Sequence, residues 1–131
     1  MIGACDSVSN PAARDYYDAA KDGKAPRTHV FTVRGANHNF FNTRWSPASG
    51  QPLGEDDAFV AEPPFPAPGN CRTTDAAKRE EKQLGEDGQR RIGAGYLTAY
   101  FRRYLAGDTT MDPLLTGATH PLGEVDVEFD G

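Results

Sequence analysis

The segment Thr28-His29-Val30-Phe31-Thr32-Val33-Arg34 constrains this chain more than any other. β-branched and aromatic residues dominate it. They suit a pleated, half-buried surface, so a strand is expected over Thr28 to Arg34. Upstream, Met1 to Cys5 is short and apolar and runs into a polar loop, Asp6 to Ser9, which reads as the tail end of another strand. Asn10-Pro11 then marks a helix start, because Asn can cap free N–H groups and Pro suits the first helical position. A helix is expected over Ala12 to about Ala20, with Ala13, Tyr16, Tyr17 and Ala20 at helical spacing. Asp22-Gly23-Lys24 ends it and Pro26 prevents a restart. Strand, helix, strand in this order is half of a parallel α/β layout, since parallel neighbours need a crossover of a dozen or so residues.

The rest of the chain is less regular. Asn42 to Thr74 holds Pro47, Pro52, Pro63, Pro64, Pro66 and Pro68 with Gly50, Gly54 and Gly69. A structureless stretch of that length inside a compact domain is uncommon and often serves as a lid or binding loop. Asp75 to Leu84 is charged and reads as a short exposed helix. Glu86 to Leu105 is the strongest helix, with Ile92, Tyr96, Leu97, Tyr100, Phe101, Tyr104 and Leu105 as an apolar stripe. Gly93 and Gly95 lower its propensity, which suggests close packing on a sheet, and Gly107 stops it. Thr109 to Pro121 reads as loop. Val125, Val127 and Phe129 alternate with Glu124, Asp126 and Glu128, the pattern of one strand, for which no partner is visible. There is no internal repeat.

Composition narrows the function classes. Only 37% of the 131 residues are hydrophobic, and 14 are Gly and 10 Pro, a thin supply of core. Either large loops cover a small core or the chain is part of something bigger. With one full strand, one partial strand and two main helices, an isolated chain is expected to be marginal or partner-dependent, because parallel strands normally need both faces covered. A net charge of −5 argues against a nucleic-acid partner. No run is long enough to span a bilayer. Met1-Ile2-Gly3-Ala4-Cys5-Asp6 has neither the basic start nor the apolar segment of a signal peptide. Cys5 and Cys71 are too few for a cysteine-based zinc site. They can form one bridge in an oxidising compartment or stay as two thiols, and the sequence leaves both open. No metal site is expected from Asp6, His29, His38 or His120, because no pair has a recognised ligand spacing, and no cofactor motif is present.

The useful pair is Asp6 and His38. Each follows directly on an expected strand, and ligands of α/β folds gather outside the carboxyl ends of the strands. If the strands are parallel neighbours, their ends lie roughly 4.8 Å apart, and an acid loop meets a histidine loop. A carboxylate bonded to one ring nitrogen fixes the tautomer and stabilises the imidazolium formed when the other nitrogen takes a proton.

At these residues the chain resembles the α/β-hydrolase family. Gly3-Ala4-Cys5-Asp6 is similar to the family's acid turn after the penultimate sheet strand. Gly35-Ala36-Asn37-His38-Asn39-Phe40-Phe41 is similar to its catalytic-histidine loop after the last strand. Asn37 to Asn42 with Trp45 is especially similar to a bacterial, largely actinobacterial, lipase- or esterase-like subgroup. The helix from Gln89 to Leu105 resembles the family's C-terminal helix. The resemblance covers roughly Ile2 to Gly117 and implies a C-terminal portion of a hydrolase domain at 1–117, with 118–131 as a tail holding a possible strand. It implies a partial serine hydrolase in which His38 is the general base and Asp6 its orienting carboxylate. A small ester or acyl compound would be the substrate, and Phe40, Phe41 and Trp45 would line an acyl pocket. It also hints at an exported parent, while no residue fixes the compartment.

The departure is as clear. The family's Gly-x-Ser-x-Gly elbow is absent, and Ser7, Ser9, Ser46 and Ser49 stand in no such context. The nucleophile and the oxyanion-hole donors would lie upstream, in a missing N-terminal half, and the isolated chain is expected to be inactive. Rival readings stay open. His38 can be a loop histidine bonded to backbone, and Asp6 a turn or helix cap. Asp15 and Asp18 are mid-helix alternatives for the acid. Phe40, Phe41 and Trp45 can simply pack the loop, and Asn37 and Asn39 can be turn formers or can orient the loop. His29 and His120 read as structural or solvated. Cys5 occupies the acid turn rather than an elbow, and nothing marks it as a reactive thiol. The alternative from another class is a non-catalytic fragment or interaction module, one that could complement a separate N-terminal half.

Overall fold

In the computed structural model, residues 1–23, 27–44, 67, 69–123 and 125–130 are described. Among them the elements are β1 (Ile2–Gly3), α1 (Asn10–Asp22), β2 (Thr28–Val33), a 3-10 turn (Asn39–Phe41), β3 (Asn70–Arg72), β4 (Glu80–Lys82), α2 (Glu86–Ala106), a second 3-10 turn (Thr109–Met111), α3 (Asp112–Leu115) and β5 (Val125–Asp130). Helices and strands are mixed around a small mixed sheet, which makes the chain α/β in the broad sense. None of its helices, among the described residues, is long and apolar enough to cross a membrane. Lys24, Pro26, Trp45, Ser46, Ser49, Glu124, and the Pro and Gly residues expected to break the stretch from 47 to 66, with Pro68, lie outside the described residues.

β2 is the middle strand of a three-stranded sheet ordered β1-β2-β5. β1 runs parallel to it, with Ile2 opposite Thr32 and Gly3 opposite Val33. β5 runs antiparallel, from Thr28 opposite Asp130 to Val33 opposite Val125. The strand near the C-terminus therefore has a partner, contrary to the sequence expectation. Alternation reports which face of a strand is apolar and carries no information about a neighbour distant in sequence.

Directly opposed residues share a face. Phe31 and Val33 of β2 thus join Val125 and Val127 of β5, and α2 covers them with Ile92, Tyr96 and Ala99, while Leu115 of α3 closes the end. The Phe31 and Tyr96 ring centroids are 4.8 Å apart. Burying each such side chain contributes about 1.5–3 kcal/mol. The expected α2 stripe was too wide: Leu97, Phe101 and Leu105 face outward. Gly93 and Gly95 pack close to Phe41 and Leu122 rather than to the sheet. Glu86 and Asp87 in the first turn and Arg103 in the last suit the helix dipole, and Gly107, at φ 72°, ends the helix.

The other sheet face carries Thr32 from β2 and Asp126 and Glu128 from β5, with Arg34 just past the end of β2. It is the α1 side, because Arg14 of α1 forks onto the Glu128 carboxylate, one contact being 2.9 Å. Arg34 grips Asp126 at 3.0 and 3.1 Å. These exposed pairs are worth roughly 0–1 kcal/mol each. Of the apolar positions expected along α1, Tyr17 is buried and Tyr16 is exposed.

Asp75 to Leu84 is not a helix. Glu80–Lys82 pairs with Asn70–Arg72 in an antiparallel hairpin, Cys71 opposite Glu81. The reason is local. Thr73 Oγ1 donates to Asp75 at 2.7 Å and accepts from Arg79 N at 2.8 Å, and Asp75 accepts from Lys78 N at 3.2 Å. Such side-chain bonds compete with helical ones and close a turn instead. Thr109 to Pro121 likewise contains a 3-10 turn and α3 rather than loop alone.

Candidate active site

The corner where β1 and β2 end is built from backbone contacts. Ala4 N donates to Val33 O at 2.8 Å, Cys5 N to Ala36 O at 2.9 Å, and Asp6 N back to Gly3 O at 3.0 Å. Gly3 is required here, because a Cβ at that position would overlap the Ala36 carbonyl. Gly35, at φ 66°, takes a left-handed turn that side-chain-bearing residues avoid. Its carbonyl accepts from Leu84 N at 2.7 Å, and its N–H donates to Glu81 Oε2 at 3.0 Å. The β3–β4 hairpin thus braces the histidine loop.

The same hairpin holds the acid turn. Thr74 N donates to Ala4 O at 2.9 Å, and Cys5 is disulfide-bonded to Cys71 across a sequence separation of 66. Asn10 Nδ2 donates to Gly3 O at 2.8 Å and also reaches Thr74 Oγ1. Cys5 carries no thiol in this state, so it offers no nucleophile.

Asp6 and His38 meet at this corner. Asp6 Oδ2 lies 3.1 Å from His38 Nδ1. The carboxylate's other oxygen accepts from Val8 N at 2.9 Å and Ser9 N at 2.8 Å. Asp6 therefore closes the turn into α1 and faces the histidine at once, so its cap and partner readings coexist. The Asp6 side chain is 6% exposed and that of His38 30%. The pair has a buried acid and a partly exposed imidazole, an arrangement in which the carboxylate can orient the ring. Ser9 Oγ lies 2.9 Å from Asp6 Oδ2 and 2.7 Å from His38 Nδ1, making a triangle.

The loop around His38 is held from below by α2. Asn37 N donates to Gln89 Oε1 at 3.2 Å, and Gln89 Nε2 donates to Asn37 O at 2.6 Å. Asn37 Oδ1 accepts from Phe40 N at 2.9 Å. Asn37, Asn39 and Gln89 are buried, and the Asn37 bond to Phe40 N is a turn-forming contact within the loop. Phe40 is buried and Phe41 packs against the core. Trp45 lies outside the described residues. A cleft of about 420 Å³ on the α1 side is bordered by Ile2, Thr32, Arg14, Arg34 and Arg79, and neither Asp6, His38, Phe40 nor Phe41 lines it.

The other candidates are elsewhere. Asp15 is exposed, and Asp18 sits 3.6 Å from Arg14. His120 is exposed. His29 Nε2 lies 2.6 Å from Tyr104 Oη and its Nδ1 3.1 Å from Leu115 O, and burial lowers its pKa against the opposing pull of that carbonyl. Among the described residues no group of three or more His, Cys, Asp or Glu side chains is placed to hold a metal ion. Sequence reasoning missed Ser9 and Gln89. Ser9 had a signal in its spacing, three residues after Asp6 and just before Asn10-Pro11. Gln89 reads as an ordinary polar residue near a helix start.

Comparison with protein-family models, with curated proteins and with solved structures yields no match for this chain.

Proposed function

We propose that the chain is the C-terminal portion of an α/β-hydrolase-type serine hydrolase acting on carboxylic esters or related acyl compounds. His38 is its general base and Asp6 the orienting carboxylate. The attacking serine and the oxyanion-hole donors belong to residues outside this sequence, which has no Gly-x-Ser-x-Gly segment. The observation that carries the reading is the 3.1 Å contact between Asp6 Oδ2 and His38 Nδ1 at the carboxyl ends of two parallel strands. The Cys5–Cys71 bond supports an exported parent, since such bridges persist in oxidising compartments.

The test supplies the missing part. A Gly-x-Ser-x-Gly segment encoded upstream, fused to the chain or added in trans, is assayed on a short-chain aryl ester. Turnover is expected, with His38→Ala lowering it by about 10²–10⁴-fold. Undiminished turnover in that variant ends the assignment. The isolated chain is expected to show none.

A second reading, a non-catalytic module that binds another protein, draws on one observation. Leu97, Phe101 and Leu105 of α2 are 52%, 53% and 81% exposed at successive helical turns. Three large apolar side chains on one face are a feature of contact surfaces. Sedimentation that stays monomeric, with no change on Phe101→Glu, removes this reading as far as self-association is concerned.

A further inference from the structure

We infer that Ser9 is a positioning residue for His38, relaying the Asp6 carboxylate to the ring nitrogen through its hydroxyl. The inference deepens the hydrolase reading and rests on it only for the use made of the other ring nitrogen, Nε2.

Three observations converge. Ser9 is the N-cap residue of α1, and its carbonyl accepts from Ala13 N at 2.9 Å as that position requires. A serine there ordinarily turns its hydroxyl onto a free N–H of the first helical turn, a bond worth about 1 kcal/mol. Ser9 makes no such bond. Its hydroxyl points the other way, to His38 Nδ1 at 2.7 Å and Asp6 Oδ2 at 2.9 Å. The direct Asp6–His38 contact, at 3.1 Å, is the longest side of the triangle. It falls near the outer end of the N–H···O range, whereas the serine contact falls at the inner end.

The protons can be assigned consistently. An ionised carboxylate only accepts, so the Ser9 hydroxyl donates to Asp6 Oδ2. Its oxygen is then free to accept, and the ring supplies Nδ1–H. The chain Nδ1–H to Oγ–H to Oδ2 has one proton for each link, and successive links polarise one another. The neutral ring is thereby held with its proton on Nδ1, and Nε2 keeps the lone pair that a general base needs. Asp6 Oδ1 is anchored to the Val8 and Ser9 amides, and Ser9 gives Oδ2 a second path to the ring beside the direct 3.1 Å contact.

The test reads the ring itself and needs no substrate. The ¹⁵N-labelled full chain is examined by NMR at a pH where the imidazole is neutral. The His38 signals are identified among the three histidines by their loss in His38→Gln. The expected result is a wild-type ring that carries its proton on Nδ1 and none on Nε2. Ser9→Ala should raise the share of the Nε2–H form about threefold to tenfold, the range one net hydrogen bond supplies. Ser9→Thr, which keeps the hydroxyl, should restore the wild-type ratio. Because the hydroxyl caps nothing, helix signals of α1 should stay in place in both variants. A wild-type ring protonated on Nε2 overturns the inference without any variant. So does an unchanged ratio in Ser9→Ala, or a Ser9→Thr ring that behaves like Ser9→Ala. Absence of ester turnover would end the hydrolase reading and leave these signals as they are, so the two failures are separable.

Discussion

Gln89 is bonded to the backbone of Asn37 in both directions, accepting from its N–H at 3.2 Å and donating to its C=O at 2.6 Å. A side chain on α2 thus does for one residue what a neighbouring strand would do. Asn37 immediately precedes His38, so this contact sets where the histidine loop sits on the core. Gln89→Leu keeps the bulk and strands both backbone groups in a buried site. The expected loss is about 2–6 kcal/mol, from two unsatisfied groups at roughly 1–3 kcal/mol each. Urea unfolding measures it. A loss below about 0.5 kcal/mol would mean that water replaces both bonds.

Gly3 tests the corner from the other strand. Gly3→Ala places a methyl group on the Ala36 carbonyl, so β1 or the loop must shift. The expected cost is about 1–3 kcal/mol, as for other overpacked sites. The shift should also lengthen the Asp6–His38 contact, seen as a changed His38 ring signal. Gly85→Ser is the control, because nothing lies within reach of a Cβ there, its φ is −64° and serine suits its place as the N-cap of α2. Equal stability of the two variants would refute the close-approach argument.

Reduction of Cys5–Cys71 releases a long closed loop. The chain-entropy model gives about 4 kcal/mol for a loop of this length. Because the core is thin, the reduced chain is expected to lose its cooperative thermal transition or to melt far earlier. Calorimetry with and without reductant checks this. Matching transitions would show that the hairpin holds the acid turn without the covalent bond.

His29 gives stability a pH dependence of known sign. Its ring is stacked on Phe129, with centroids 4.6 Å apart, and faces Tyr104 and the Leu115 carbonyl, with Asp112 nearby. Burial dominates and holds its pKa below the ordinary histidine value of 6.5. Between the lowered folded value and 6.5 the unfolded chain binds a proton that the folded chain excludes. Stability is therefore full above that upper limit, falls as pH drops through it, and levels off below the folded value. Unfolding free energies at about pH 7.5 and about pH 5.5 should show the decline, and His29→Phe should remove that part of it. An unchanged slope in the variant would assign the decline to other groups.

What could be read from the sequence was local. The strand expected over Thr28 to Arg34, observed over Thr28–Val33, and the two main helices announced themselves through side-chain preference and period. Asp6 and His38 stood out because each follows a strand. The β3–β4 hairpin did not, since Glu80, Glu81 and Lys82 offer no apolar alternation and the hairpin is fixed by a turn, side-chain bonds and a disulfide. The partner of β5 was invisible for the reason given above. On α2 the aromatic residues outnumber those the sheet can cover, so period alone overstated the buried face. Ser9 and Gln89 escaped notice because their roles are set by what the fold brings opposite them.

The disulfide also has a topological effect. It closes a covalent ring from Cys5 to Cys71, and Asp6, Ser9 and His38 all lie within it, while Gln89 lies outside. A protease that nicks the backbone once inside the ring therefore opens the loop without parting the fragments. Where the nick falls between Asp6 and His38, acid and imidazole stay on one molecule until a reductant arrives, and digests run with and without reductant would differ by one band.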